Sequence, residues 1–286
     1  MSTAPNALHG TMASPEDVLL ACHGIGVRFG GVMALSDVSC DVTAGRITSV
    51  IGPNGAGKTT LLNVITGMVS PQTGSLLLRG GEIGPLPPHV RAGHGVLRTF
   101  QNLEIFTNMS VAENVMAGAH RMGRYSVLDA FFRTRRYRRE ERATWDAALR
   151  ALDFVGLADM ADLPAGELAY GSQRMLEIAR VIAAEPELLL LDEPAAGLNM
   201  AETRALGDLV RRIRDELGIT VVLVEHDMEL VMDISDHILV LCFGKVLADG
   251  TPLEIQRDPA VIAAYLGDDT RDGGEEADAP VREGES

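Results

Sequence analysis

Residues Gly52, Pro53, Asn54, Gly55, Ala56, Gly57, Lys58 and Thr59 constrain this chain more than any other stretch. They fit the pattern GxxxxGK[ST] and lie between an apolar run, Ile47 to Ile51, and a helical run, 59 to 66. A strand, a glycine-rich turn and a helix in that order let successive backbone N–H groups and a helix N-terminus wrap phosphate oxygens. In that arrangement Lys58 reaches the β and γ phosphates and the Thr59 hydroxyl binds Mg²⁺. The chemistry is nucleotide phosphate binding, and the fold class it demands is α/β.

The remaining pattern agrees. Short β-branched or leucine-rich runs alternate with helical stretches, the mark of a mostly parallel sheet flanked by helices. Besides 47 to 51, strands are read at Ser75 to Leu78, Leu188 to Leu191 and Thr220 to Val224. The last two are continuous apolar runs, as expected of strands buried on both faces. Polar residues gather at their C-terminal ends, the edge at which open α/β sheets bind ligands. Asp192 and Glu193 follow the leucine run: Asp192 is placed to hold the Mg²⁺ shell and Glu193 to polarise the water that attacks a γ-phosphate. His226 follows the valine-rich run and can aim its imidazole at the same phosphate or water. Taken alone, a strand-end acidic pair is as readily structural, and a single histidine there more often so. Beside the phosphate loop they form one constellation. No internal repeat is found, so the chain carries a single cassette.

Composition bounds the rest. With 286 residues and 46% hydrophobic content the chain can bury a large core. The best membrane-span candidate, Val181 to Leu198, is interrupted by Glu185, Glu187 and Asp192, so no spanning helix is expected, and the N-terminus lacks a basic segment followed by an apolar one, so no secretory signal is read there. Cys22, Cys40 and Cys242 lack CxxC spacing and suit reduced packing thiols. The net charge of -15, acidic even outside the tail, argues against a general phosphate-backbone binder, so no nucleic acid partner is expected. Eight acidic residues against two arginines from Gly267 to Ser286 read as a disordered acidic tail, and residues 1–16 as a disordered leader.

Residues from about 18 to 266 resemble the ABC ATPase family, a P-loop NTPase class. By its pattern Gly52 to Thr60 is the Walker A loop, Gln101 in Arg98-Thr-Phe-Gln is the Q-loop glutamine, Asp192 and Glu193 close Walker B, and His226 is the switch histidine. The resemblance implies a parallel core sheet, an N-terminal antiparallel β subdomain and a helical signature subdomain. It assigns 17–266 to the ATPase domain, with the helical part at about 90–182 and an arginine-rich insert at 121–145. It implies that ATP is held by Gly52 to Lys58 with Thr59 and Thr60, that Phe29 stacks on adenine, and that Thr59, Gln101 and Asp192 ligate Mg²⁺. Catalytic roles fall to Glu193, His226 and Gln101.

The family signature aligns with Leu168, Ala169, Tyr170, Gly171, Ser172 and Gln173, opening a helical run from Gln173 to Ala184. Here the chain departs from the usual Leu-Ser-Gly-Gly-Gln, with Ala169 in the serine's place. The helix dipole and backbone N–H groups still favour a γ-phosphate by about 0.3 to 2 kcal/mol, and Ser172 offers a hydroxyl. The D-loop also departs, ending in Asn199 rather than aspartate. Since family members sandwich each ATP between one subunit's Walker A and the other's signature, a homo- or heterodimer with a second ABC ATPase subunit is expected.

Ala-Tyr-Gly in the signature, Ala-Gly-Leu-Asn199, Glu-His-Asp-Met at the switch and Ala264-Tyr-Leu-Gly267 are similar to the branched-chain amino acid transport branch, in its larger ATPase subunit type. That implies import of leucine, isoleucine or valine from a peripheral position on the cytoplasmic face of the inner membrane. Two transmembrane permease subunits and a periplasmic or extracellular substrate-binding protein would be the partners. Relatives of this type that import urea or amides, and exporter-type ABC ATPases, stay open as alternatives. A non-transport ABC ATPase fits less well: Lys58 and Leu168 are 110 positions apart, too close for a chromosome-type coiled coil. Eight arginines from Arg121 to Arg142, interleaved with Tyr125, Phe131, Phe132 and Tyr137, read either as a solvated helical face or as a contact with membrane subunit or headgroups.

Overall fold

The computed structural model describes residues 17–101, 103–119 and 134–266; the leader, the acidic tail and the first part of the arginine-rich insert lie outside them. A two-residue glycine turn opens the architecture. β1 (Val18–Phe29) pairs antiparallel with β2 (Val32–Thr43), with Phe29 opposite Val32 across Gly30 and Gly31. Gly30 takes φ 55, the left-handed conformation that tight hairpins favour there. β3 (Ile47–Ile51) then leaves this layer for a second one. β4 (Thr73–Leu78) and the short β5 (Gly81–Glu82) return to the first, completing a four-stranded sheet in the order β2-β1-β4-β5. The run Ser75 to Leu78 thus belongs to the antiparallel sheet. Leu76 and Leu78 are buried while Ser75 and Leu77 are half-buried, the alternation of a strand covered on one face.

The second sheet contains β6 (Val96–Arg98), β7 (Leu188–Asp192), β8 (Thr220–Val224), β9 (His237–Cys242) and β10 (Lys245–Gly250) beside β3. Its order is β10-β9-β3-β8-β7-β6, parallel throughout except for the edge strand β10. β3, β7 and β8 are buried along their whole length. Their two faces serve different cores. Leu188, Leu190, Val222 and Val224 join Leu61, Leu62 and Ile65 of α1 (Lys58–Thr66), whereas Leu189, Leu191, Val221 and Leu223 join the core on the opposite side. This is the period-two alternation of a strand, read out in two apolar environments instead of one.

α2 (Pro88–Gly93) contributes one buried cation, Arg91, which is 1% exposed. Its guanidinium donates to the carbonyls of Val64, Ile65, Gly84 and Leu86. Two carbonyls in the last turn of α1, those of Val64 and Ile65, thereby gain a cationic donor. α1 carries Lys58 and Thr59 at its other end, so Arg91 anchors the phosphate-loop helix from behind.

Beyond β6 the chain enters the helical region. α3 (Val111–Ala119), α4 (Arg135–Phe154) and α5 (Tyr170–Ile182) pack on one another. The described part of the arginine-rich insert runs into α4, where Arg136 pairs with Glu140 at 3.1 Å and Tyr137 with Glu141 at 2.9 Å. α5 starts at Tyr170, three residues earlier than the sequence predicts. Its N-cap, Ala169, has no side-chain acceptor, so packing rather than capping supports the first turn. A Cβ on Gly171 would come within 2.7 Å of Glu202 Oε1, which shows how closely that turn lies against α6 (Met200–Leu217). α6 has the cap that α5 lacks: Asn199 Oδ1 accepts from the N–H groups of Ala201 and Glu202, and Glu202 returns a carboxylate oxygen to Asn199 N–H. α7 (Met228–Ile234), α8 (Pro252–Arg257) and α9 (Pro259–Leu266) complete the described chain.

Candidate active site

β3 delivers the chain into the glycine-rich loop at Gly52, whose φ is 147. A Cβ at this position would sit 2.0 Å from the carbonyl oxygen of Leu241, so the loop passes directly beneath the end of β9 and only glycine fits. Farther along, Ala56 O accepts from Gly244 N–H at 3.0 Å, and Gly57 lies against Ala34 at the start of β2. The loop is held between the β9–β10 turn and the β1–β2 hairpin, which brings the hairpin tip to the same edge. Phe29 stands there with half of its surface exposed (52%). Lys58, 6% exposed, reaches back to donate to Gly52 O at 2.6 Å and Pro53 O at 3.0 Å. Thr59 is exposed and Thr60 half-buried in the first turn of α1, while Asn54 and Gly55 form the exposed crest of the loop. The resulting cradle of backbone N–H groups, helix terminus and ammonium is suited to a polyphosphate.

β7 ends at Asp192, which is 2% exposed. Arg98, at the end of neighbouring β6, meets its carboxylate and donates its other terminal nitrogen to Asn63 Oδ1 at 2.7 Å. One buried guanidinium therefore connects β6, β7 and α1. Arg98 was not picked out by sequence reasoning as a site residue. The signal was an arginine closing a short apolar strand, since a charge withdrawn there requires a buried partner.

Glu193 follows in the left-handed region at φ 49, which is costly for a residue with a Cβ and is held by its surroundings. Its N–H donates to Val224 O at 2.8 Å, tying it to the end of β8. Gln101 Nε2 donates to Glu193 Oε2 at 2.7 Å, and His226 Nε2 lies 3.0 Å from Glu193 Oε1. The structure thus gathers Glu193, Gln101 and His226, from three separate segments, around one carboxylate. Glu225 sets the spacing from below. It is 4% exposed and accepts from the N–H groups of Ala195 at 2.7 Å and His226 at 3.1 Å. Burial pushes its pKa above the usual carboxylate value, against the opposing pull of those backbone donors.

The signature residues lie at the head of α5, with Ala169 and Tyr170 exposed, Gly171 buried and Ser172 half-buried. Gln173 turns back to donate to Leu168 O at 3.0 Å. One turn on, Arg174 and Glu177 form a fully buried pair at 2.8 Å, each 1% exposed. Arg174 donates to the carbonyls of Phe100 and Gln101, and Glu177 accepts from Phe100 N–H. Burial raises the Glu177 pKa while Arg174 pulls it down. Neither residue was foreseen. The segment bearing Gln101 is fastened through them to α5.

A polyphosphate cradle at the head of a helix, with carboxylates at the end of another parallel strand of the same sheet, defines a P-loop nucleotide hydrolase. The ABC transporter family model matches residues 35–196, and a model described as a branched-chain amino acid ATP-binding cassette transporter matches residues 245–270. The high-affinity branched-chain amino acid transport ATP-binding protein BraF of Pseudomonas aeruginosa is 48% identical over 250 residues, covering 87% of this chain and 98% of that protein. LivG of Escherichia coli, of the same description, is 44% identical with the same coverage. Among solved structures, an ABC transporter cassette in its ADP conformation superposes with a TM-score of 0.76 at 31% identity, over 87% of this chain and 99% of the other. The chain belongs to the ABC transporter ATP-binding family, in the branch that contains the branched-chain amino acid transport proteins. It is a nucleotide-binding transporter ATPase. Among the described residues no helix is long and apolar enough to cross a membrane.

Proposed function

We propose that this chain hydrolyses MgATP to power the import of branched-chain amino acids. The observation that carries hydrolysis is the Glu193 carboxylate, held between Gln101 and His226 at the end of β7. Glu193 polarises the attacking water, His226 stabilises the charge that develops on the γ-phosphate, and Gln101 links that phosphate to the helical region. Lys58 exchanges its loop carbonyls for the β and γ phosphates, and Phe29 stacks on adenine. The donor set available for a cation is all oxygen: the Thr59 hydroxyl, the Asp192 carboxylate and the Gln101 amide. That chemistry fits Mg²⁺, which takes one or two carboxylates and completes its shell with phosphate oxygens and water. When bound, Mg²⁺ supplies charge neutralisation at the β and γ phosphates.

In this reading the exposed first turn of α5, from Ala169 to Gln173, meets ATP held by a second ATPase subunit through its N–H groups and the Ser172 hydroxyl. Two permease subunits carry the substrate path. A periplasmic binding protein delivers the amino acid, and the chain works peripherally on the cytoplasmic face of the membrane. Support for the substrate class comes from the 48% identity with BraF across nearly its whole length.

The test is radiolabelled leucine uptake in cells deleted for this chain and complemented with wild type or Lys58→Ala. Uptake is expected to return only with wild type and to be competed by isoleucine and valine. Equal uptake in deleted and complemented cells, or restoration of urea or amide uptake instead, would overturn the assignment.

A further inference from the structure

A closed ring of hydrogen bonds passes through Glu193 and the first turn of α5. Gln101 Nε2 donates to the Glu193 carboxylate at 2.7 Å, and the Gln101 carbonyl accepts from Arg174 Nη2 at 3.2 Å. Arg174 Nη2 also lies 3.2 Å from Tyr170 Oη, which donates to Ala196 O at 3.1 Å. Ala196 N–H returns to the Glu193 carbonyl at 3.1 Å. The ring therefore joins the carboxylate, the segment before it in space and the segment after it in sequence, all through one helix.

Two features seat Tyr170 in that ring. Its ring lies against the bare backbone of Gly197, where a Cβ would stand 3.1 Å from Tyr170 Cε1. Arg174, its neighbour one turn on, is fixed by the buried pair with Glu177. A tyrosine that only covered surface would need no partner for its hydroxyl. This one remains 44% exposed, yet both its accepting and its donating capacity are directed inward, to Arg174 and Ala196.

We propose that Tyr170 is a positioning residue for hydrolysis, its hydroxyl locking the Ala195–Asn199 segment to α5 so that Glu193 is aimed only while that helix is seated. The proposal rests on the reading of Glu193 as the group that polarises water. It gives the bulky residue at this signature position a task inside its own subunit, distinct from contact with nucleotide.

Tyr170→Phe opens the ring at one point and leaves the ring packing on Gly197 intact. The freed carbonyl belongs to Ala196, an exposed residue that water can reach, and Arg174 Nη2 keeps its bond to the Gln101 carbonyl. The assay is ATP hydrolysis by the transporter reconstituted with its membrane subunits, together with thermal unfolding of the full chain. ATP-driven dimerisation is measured in parallel by size-exclusion chromatography in a Glu193→Gln background. We expect kcat about tenfold lower, equivalent to about 1.4 kcal/mol, with KM, the unfolding midpoint and the ATP requirement for dimerisation unchanged. A kcat within twofold of wild type, while Glu193→Gln is inactive, would overturn the role of Tyr170 and leave that of Glu193 standing. A higher ATP requirement for dimerisation would make Tyr170 a nucleotide contact and overturn the positioning role. If Glu193→Gln itself keeps turning over, the reading of Glu193 fails and the ring has nothing to aim.

Discussion

Arg98 Nη2 lies 2.5 Å from Asp192 Oδ2, and the two side chains are only 5% and 3% exposed. Because the same guanidinium bonds Asn63 on α1, it fixes the proposed metal-binding carboxylate relative to the helix that carries Lys58 and Thr59. Removing one member of such a pair leaves the other charge buried without compensation. Arg98→Leu is therefore expected to lower the unfolding free energy by about 3 kcal/mol, measured by urea denaturation of the nucleotide-free chain. A loss below about 1 kcal/mol would show that Asp192 finds water when Arg98 is gone.

Lys58 and Glu193 should separate binding from turnover. Lys58→Ala is expected to lose ATP binding, because its ammonium heads the phosphate cradle. Glu193→Gln keeps the shape and the hydrogen-bonding reach of the side chain but removes the charge that polarises water. It should bind ATP as wild type does and accumulate as an ATP-bound dimer, with turnover reduced at least a hundredfold, about 2.7 kcal/mol. Turnover within tenfold of wild type would refute the assigned role.

Phe29 occupies the tip of a hairpin packed against the phosphate loop, with 52% of its surface exposed. Base-on-aromatic stacking is worth about 1–3 kcal/mol. Phe29→Ala should weaken ATP binding about tenfold while leaving inorganic tripolyphosphate binding unchanged. Equal weakening of both ligands would place the effect in the loop rather than in the base.

His237 and Asp249 link β9 to β10 through Nε2 and Oδ1 at 2.5 Å. The hydrogen bond to Asp249 raises the His237 pKa above 6.5; burial opposes it, Asp249 and Glu254 add attraction, and Arg46 subtracts from it. A pKa raised on folding means that the folded state binds the proton more tightly, so the stabilisation is complete below about pH 6.5 and fades as pH passes the folded value. The difference in melting temperature between wild type and Asp249→Asn should be largest near pH 6 and shrink towards pH 9. The pair is 34% and 44% exposed, so the effect stays under about 1 kcal/mol. A pH-independent difference would refute the linkage.

The phosphate loop, β3, β7 and β8 were legible because each combines a continuous apolar run with polar residues at one end, a local pattern. Gln101 was placed by resemblance and His226 by its position at the end of the valine-rich run, and the structure puts both against Glu193. What escaped was mostly non-local. Arg174 looks like any other arginine in sequence and Arg98 stands out only by closing a short apolar run; the fold shows that each is buried against a carboxylate. The start of α5 was misjudged because Ala169 gives no capping signal and the first turn depends on its contact with α6. Asn199 was different. It was taken as a departure from the family's D-loop, although Asn199-Met-Ala-Glu202 is a readable capping box whose job is to start α6.

Alternate side chains of β7 belong to separate cores, Leu188 and Leu190 to one and Leu189 and Leu191 to the other, and the strand runs directly into Asp192 and Glu193. A one-residue slip would exchange the two sets of leucines. It would also carry Asp192 away from Arg98 and Glu193 away from Gln101 and His226. Leucine would replace leucine in both cores, so the apolar run barely distinguishes the frames, and the partners of Asp192 and Glu193 are what hold the register.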